Sequence, residues 1–401
     1  MKVTLEDIRS AREVIKNIIR PTELDQSLSA SKLMGCEVYF KFENTQLTGS
    51  FKLRGALNKI HSLTPEQRAK GVVASSAGNH AQGVAYSATR SNVKSTIVMP
   101  IHAPLVKIAA TREYGADVVL HGEIYDEAYE KARELEKSNG FVFVHPYEDE
   151  KIIAGQGTIG LEICEKVADF DSIIIPIGGG GLISGIATAV KSLNPKCKIY
   201  GVQSEQVPGM ERMFHGKPVG EPPRKISTIA DGIAVKKTSK VMFDSFISKL
   251  VDDIVTVSDD EIAAAIFFLM EKSKSVVEGS GAAGLAALMN RKLNLGKKTC
   301  VLLCGGNIDL NIIAKIIEKG QISKGRLAEL SVVVDDLPGN LSKLTQAIAE
   351  QRANILEVHH DRVSKGLYLR ETKIDFVLET SSPEHIQQIR EALMRCGARI
   401  L

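Results

Sequence analysis

Apolar positions recur at helical spacing from the start of the chain. Ile8, Ala11, Val14, Ile15 and Ile18 follow one another three or four apart behind Thr4, predicting a first helix that ends before Pro21. Residues 37–40 read as a strand and residues 43–50 as a polar loop. A helix through Leu57 and Ile60 follows, which places Lys52 near its start. Thr64, Pro65 and Gln67 spell a capped helix opening, with residues 71–75 as a short buried strand behind it. Further strands are predicted at residues 95–99, 117–120, 172–177, 198–202 and 299–304, most of them separated by helical stretches. That alternation is the grammar of a parallel α/β sheet. Ser258 and Glu261 repeat the capping spacing before the apolar run 262–270, and the alternation carries on to about residue 318.

After a short polar connector at residues 320–326 the pattern changes. Residues 327–334, 341–349, 355–360, 373–378, 386–394 and 398–401 read strand, helix, strand, strand, helix, strand, a separate βαββαβ module of about 75 residues. One such module alone has exposed sheet edges and a thin core, so two placed side by side would hide an edge.

Composition narrows the function classes. The 401 residues suffice for two or three cores, and 44% hydrophobic with 25% charged residues is ordinary for a globular chain. A formal charge of +3 is too even for a polyanion-binding surface. With 5% aromatics and no Trp there are few stacking platforms, so nucleic acid is not an expected partner. None of the six cysteines forms a Cys-x-x-Cys pair, which fits a reducing compartment. The opening residues lack the basic-then-apolar pattern of a secretory signal, and no apolar run approaches ~18 residues. A soluble cytoplasmic protein without membrane association is the expectation.

Three glycine-rich or polar segments follow predicted strands, where ligand crevices form in open parallel sheets. Gly178, Gly179, Gly180, Gly181 and Leu182 come after an isoleucine run, and their backbone N–H groups can converge on an anion at the start of the next helix. The segment has neither the lysine ending of a nucleoside triphosphate loop nor the spelling of a dinucleotide site, so the phosphate of another cofactor is the better fit. A bare tight turn is the alternative. Ser75, Ser76, Gly78 and Asn79 offer hydroxyl, backbone and amide donors for a carboxylate, and a capped turn with a structural His80 explains them equally well. Cys304 ends a buried strand at the same sheet edge, where a core role is the simpler reading. Most lone lysines are surface groups, but Lys52, behind Phe51 and among glycines, becomes a candidate imine-forming lysine beside a phosphorylated cofactor.

Residues 50–56, 76–83 and 178–182 together resemble, in the expected order, the motifs of pyridoxal-phosphate threonine dehydratases (threonine ammonia-lyases). The resemblance spans about residues 4–318, and the closing module resembles an ACT regulatory domain. It implies an α/β enzyme of fold type II (tryptophan synthase beta-like), with two parallel-sheet lobes and a C-terminal βαββαβ ferredoxin-like ACT domain. Residues 1–45 and 151–318 would form the large lobe binding pyridoxal 5'-phosphate, 46–150 the small lobe, 319–326 a linker and 327–401 the ACT domain. Lys52 is similar to the family's catalytic Schiff-base lysine, with Phe51 packed near the cofactor and Asn79 bonding its 3-oxygen. Gly178, Gly179, Gly180, Gly181 and Leu182 would hold the phosphate, and Cys304 would face the pyridine nitrogen. Ser76, Ala77, Gly78, Asn79 and His80 would form the loop for the substrate carboxylate.

The implied reaction dehydrates and deaminates L-threonine to 2-oxobutanoate and ammonia, with L-serine as a side substrate. The freed Lys52 amine would take the Cα proton. The family view draws the proton for the leaving hydroxide from the cofactor phosphate, no nearby Asp or Glu declaring itself from spacing. A neutral Cys304 limits the ring as an electron sink and favours prompt β-elimination. Asp336, Leu337, Pro338, Gly339, Asn340 and Leu341 resemble the effector turn of paired ACT modules. They imply a homodimer or homotetramer under feedback by an amino acid, with isoleucine the expectation. A module that only joins subunits is the plainer alternative. Gln203, Ser204 and Glu205, with Ala230, Asp231 and Gly232, fall where serine racemases place a divalent cation. Gln203 stands where those relatives usually carry an acid, which leaves the metal unknown. Two further readings remain: a serine or hydroxyaspartate racemase-dehydratase with Ser76 as second base, and a non-catalytic amino-acid sensor, which the intact Lys52, Asn79 and glycine loop argue against.

Overall fold

The computed structural model describes residues 1–221, 226–363 and 365–401 of the chain. Its contacts divide it into two compact units, Met1–Asp309 and Leu310–Leu401. In chain order the strands are β1 (Leu24–Gln26), β2 (Glu37–Phe42), β3 (Val72–Ser75), β4 (Ser95–Met99), β5 (Asp117–Leu120), β6 (Val142–Phe143), β7 (Ser172–Pro176), β8 (Lys198–Ser204), β9 (Asp253–Val257), β10 (Lys298–Leu303), β11 (Leu327–Asp335), β12 (Asn354–Asp361), β13 (Glu371–Glu379) and β14 (Arg399–Ile400).

In the first unit one sheet runs β1-β2-β10-β7-β8-β9 and the other β5-β4-β3-β6. Every pairing is parallel except that of β1 with β2. β3 and β7 are buried along their whole length, as strands covered on both faces must be. Ile173, Ile175, Ile183, Ile186 and Leu302 belong to the core of the larger sheet, and Val72, Ala74, Val84 and Ile97 to that of the smaller. The sequence pattern missed β1, β6 and β9. All three lie at sheet edges, and β1 and β6 hold only three and two residues. β1 and β6 are too short to carry a pattern of their own and take their structure from the neighbour they pair with, whereas β9 does carry a strand-like run in Ile254, Val255, Thr256 and Val257.

Helix starts follow local chemistry. Thr4, Thr64 and Ser258 each accept from the backbone N–H three residues on, and the side chains of Asp7, Gln67 and Glu261 reach back. A hydroxyl cap of this kind is worth about 1 kcal/mol. The helix Glu150–Lys166 supports both the helix Lys52–His61 and the helix Gly181–Leu193 at glycine contacts. A Cβ on Gly155 would lie 2.6 Å from Gly55 Cα, and one on Gly185 would lie 2.3 Å from the Ile153 carbonyl oxygen. One central helix therefore fixes the helix that begins at Lys52 and the helix that follows the glycine loop.

The second unit opens with the helix Leu310–Ser323. It runs into the segment expected to be a connector, because one internal glycine, Gly320, costs only about 1 kcal/mol and does not end a helix of 14 residues. The chain turns at Gly325, where φ is 63°. Beyond it the sheet β12-β13-β11-β14 is antiparallel throughout. The helices Asn340–Glu350 and Pro383–Arg395 share a core with it, built from Leu330, Val332, Phe376, Leu344 and Leu393. Among the described residues no helix is long and apolar enough to cross a membrane.

Candidate active site

The predicted site residues of the first unit lie where strands of its two sheets end. Phe51 caps the helix that Lys52 opens. The Phe51 N–H donates to the Cys304 carbonyl at 3.1 Å, the Gly306 N–H donates to the Gly49 carbonyl at 2.9 Å, and Ser50 bridges Gly305. The loop before Lys52 is thus laced to the chain leaving β10, which brings Lys52 and Cys304 together. Lys52 Nζ donates to the Pro146 carbonyl at 2.9 Å. Removal of water around the amine pushes its pKa down to about 8, while the nearby Cys304 and Glu278 act in the opposite direction. A basic, partly neutral amine is the consequence.

Cys304 is buried, and its Sγ donates to the Ser280 carbonyl at 3.6 Å. Burial holds its thiol well above the ordinary range, so it is neutral. The hydroxyl of Ser280 is itself buried without a partner.

Asn79 opens the helix Asn79–Arg90 behind β3. Its Nδ2 donates to Glu278 Oε1 at 2.7 Å, and its Oδ1 accepts from Asn307 Nδ2 at 2.7 Å. Ser76 Oγ accepts from the Gly78 N–H at 3.2 Å, which shapes the loop from Ser76 through Ala77 to Asn79. A Cβ on Gly78 would meet nothing within 4 Å, so the loop faces open space. The buried His80 ring points elsewhere: its Nε2 donates to the Val144 carbonyl at 2.8 Å. Burial, with Lys52 nearby, drives its pKa down to about 3, so the imidazole is neutral.

The glycine loop leads from β7 into the helix Gly181–Leu193. Gly180 caps that helix with φ 98°, and its first turn carries neither an acidic residue nor a side-chain cap. The backbone N–H groups of this turn therefore have no side-chain acceptor. A Cβ on Gly178 would lie 3.2 Å from the Gly232 carbonyl oxygen, and one on Gly179 would lie 2.2 Å from Tyr147 Cδ1. Leu182 is buried in the core of the larger sheet.

Five participants escaped the sequence reading: Glu278, Ser280, Asn307, Pro146 and Tyr147. Glu278 looks like an acid at a helix opening, Asn307 like loop polarity, and Pro146 and Tyr147 like a turn after a strand. The candidate cation segments are otherwise engaged. Gln203 Oε1 accepts the Glu211 N–H at 2.8 Å, and Asp231 pairs with Lys107 at 2.6 Å. Among the described residues no group of three His, Cys, Asp or Glu side chains is placed to hold a metal. In the second unit Gly339, with φ 93°, caps the helix Asn340–Glu350, Asn340 Nδ2 donates to the Asp335 carbonyl at 2.9 Å, and Asp336 pairs with Arg362 at 2.9 Å. Leu337 is exposed.

Comparison with known proteins adds sequence and structural relatives. The model of the family described as pyridoxal-phosphate dependent enzyme matches residues 15–305. The L-threonine ammonia-lyase of Thermotoga maritima is 47% identical over 407 residues, covering 99% of this chain and 99% of that protein. The processed form of threonine deaminase isoform 2 from Solanum lycopersicum superposes with a TM-score of 0.74 at 35% identity, covering 80% of this chain and 91% of that one. Maize serine racemase has a TM-score of 0.74 at 33% identity, over 80% of this chain and 99% of its own.

Proposed function

The chain belongs to the pyridoxal-phosphate dependent enzymes, and from that premise we infer that it is an L-threonine ammonia-lyase, converting L-threonine to 2-oxobutanoate and ammonia. The residues present fit the cofactor. Lys52 supplies a desolvated amine, the unacidic helix start behind Gly178, Gly179, Gly180, Gly181 and Leu182 suits a phosphate, Asn79 offers an amide N–H for the 3-oxygen, and Cys304 and the orphaned Ser280 hydroxyl suit the ring nitrogen. When bound, pyridoxal phosphate supplies an aldehyde for the substrate amine and an electron-accepting ring for charge arising at the substrate Cα.

The observation that carries the reading is the Lys52 amine held at about 8 on the Pro146 carbonyl. Desolvation leaves part of such an amine neutral near neutral pH, the form that can take a proton from Cα. The Cys304 thiol, itself neutral, could offer the cofactor's ring nitrogen a hydrogen bond but not a full charge. The backbone of Ser76, Ala77, Gly78, Asn79 and His80 would hold the substrate carboxylate, the His80 ring being committed to Val144. Phe51 packs under the amine, its ring centroid 5.3 Å from Nζ. Residues 46–150 serve as the lobe that closes over the substrate, which would exclude water.

The second unit acts as an ACT-type regulatory domain. Its βαββαβ order and antiparallel sheet support this. The turn Asp336, Leu337, Pro338, Gly339, Asn340 and Leu341 would take isoleucine in a homo-oligomer. A product assay on L-threonine tests the catalytic reading: 2-oxobutanoate supports it, and racemised amino acid with little ketoacid overturns it. Threonine kinetics with and without isoleucine, before and after deletion beyond residue 325, test the regulatory reading, which no response to any branched amino acid would sink.

A further inference from the structure

Glu278 bonds the Asn79 amide, and the reaction as derived gives it no task. The amide has two possible orientations, and here both its ends are tied. Asn307 Nδ2 donates to Asn79 Oδ1, and Asn79 Nδ2 donates to Glu278 Oε1, each at 2.7 Å. Asn307 is itself fixed, since its Nδ2 also donates to the Thr48 carbonyl at 2.9 Å and its backbone N–H donates to the Glu278 carboxylate. The donors therefore run one way, from Asn307 through Asn79, and end on an acceptor. Reversing Asn79 would set oxygen against carboxylate and NH2 against NH2, leaving buried polar groups unmatched. In the observed orientation one Nδ2 hydrogen stays available to a ligand.

The carboxylate that closes this chain sits in an unusual place. Glu278 is 5% exposed, and its two hydrogen-bonding partners, the Asn79 amide and the Asn307 backbone, are neutral. The charged or titratable groups that face it are Lys52, Cys304, Asp231 and Lys107. Burial first, then Asp231, raise its pKa to about 7, against the pull of Asn79, Lys107 and the Asn307 N–H.

Resting on the pyridoxal-phosphate reading above, we propose that Glu278 is a positioning residue for the cofactor: ionised, it locks Asn79 with its remaining N–H available to the cofactor's 3-oxygen, and on taking up a proton it loosens that lock. A protonated carboxyl is a donor as well as an acceptor, so it no longer opposes the reversed amide.

The test uses the full chain loaded with pyridoxal phosphate, without substrate. The visible absorption of the bound cofactor is followed across pH, and cofactor affinity is measured by titrating the apo protein. The parent should show a spectral change centred near pH 7 and bind cofactor more tightly above it than below. Glu278→Gln should flatten that change and weaken binding about tenfold, the size of one unit in a coupled equilibrium. The Glu278→Gln, Asn79→Ala double variant should bind no more weakly than Asn79→Ala alone, since the two act as a unit. A spectral change near pH 7 that persists in Glu278→Gln, or losses that multiply in the double variant, would overturn the proposal. If Glu278→Gln does not fold, Glu278→Asp, which keeps the charge but draws the carboxylate back from the Asn79 amide, takes its place, and unchanged cofactor affinity there overturns the proposal equally. A parent with a normal band that makes no 2-oxobutanoate defeats the catalytic reading and leaves the role of Glu278 standing.

Discussion

The Tyr147 ring lies against the backbone of Gly179: a Cβ built there would sit 2.2 Å from Cδ1 and 2.3 Å from Cε1 of that ring. The left-handed residue of the loop is Gly180. Glycine at 179 is therefore demanded by its neighbour. Gly179→Ala should push the ring or the loop aside at about 1–3 kcal/mol, seen as roughly tenfold or greater loss of cofactor affinity. Adding Tyr147→Ala empties the space and should restore part of that loss. Cofactor titration of the two variants checks this, and a double variant no better than Gly179→Ala refutes the contact as the cause.

Lys52 carries a pH signature in stability. Its amine sits at about 8 in the folded protein against an ordinary 10.5, so between those values the unfolded chain holds more protons than the folded one. Apo protein should therefore gain stability as pH rises from about 8 to 10.5. Below about 8 the amine is charged in both states, and folding bears the whole penalty of burying it. Lys52→Ala removes that penalty at the loss of one hydrogen bond to Pro146, so the apo variant should be about 1–2 kcal/mol more stable than the parent at pH 7, with the gap narrowing by pH 10. Its 2-oxobutanoate formation should fall to background. Urea unfolding at the two pH values decides, and a variant less stable at both would contradict the desolvation argument.

Legibility followed the range of the interactions. The placement of Lys52 at a helix start and of the four glycines from Gly178 to Gly181 between a strand and a helix was readable because helix starts and strand ends are local signals. β3, β7 and β10 were readable because buried parallel strands are continuous apolar runs. Glu278 was not. An acid before a small-residue helix start is ordinary dipole compensation, and only the approach of Asn79, 199 positions away in sequence, makes it part of a site. Gly155, Gly157 and Gly160 show the opposite hazard. Their spacing imitates a nucleotide loop, yet they lie inside the helix Glu150–Lys166, where a Cβ on Gly157 would meet Ile8 Cδ1 at 2.7 Å and one on Gly160 would meet Ala189 Cβ at 2.9 Å. Tertiary crowding sets those glycines.

Arg54, two positions beyond Lys52, anchors the same helix from its far side. It is fully buried with Glu43, donating from Nε to Oε2 at 2.8 Å and from Nη2 to Oε1 at 2.7 Å. Its Nη2 also reaches Glu162 at 2.9 Å, and Glu162 accepts Lys41 Nζ at 2.6 Å. Two cations and two carboxylates thus balance in a network that ties β2 and the loop after it to the helices Lys52–His61 and Glu150–Lys166. Removing one member leaves charge buried without compensation. Arg54→Met should destabilise by about 3–5 kcal/mol, and Arg54→Lys should recover little, since an ammonium cannot reproduce the two-pronged contact with Glu43. Replacing Glu43 by Leu in the Arg54→Met chain should return much of the loss, because Lys41 and Glu162 then remain as a balanced pair. Denaturant unfolding of the three variants measures each difference. If Arg54→Met falls within 1 kcal/mol of the parent, the network does not hold the lysine helix in place.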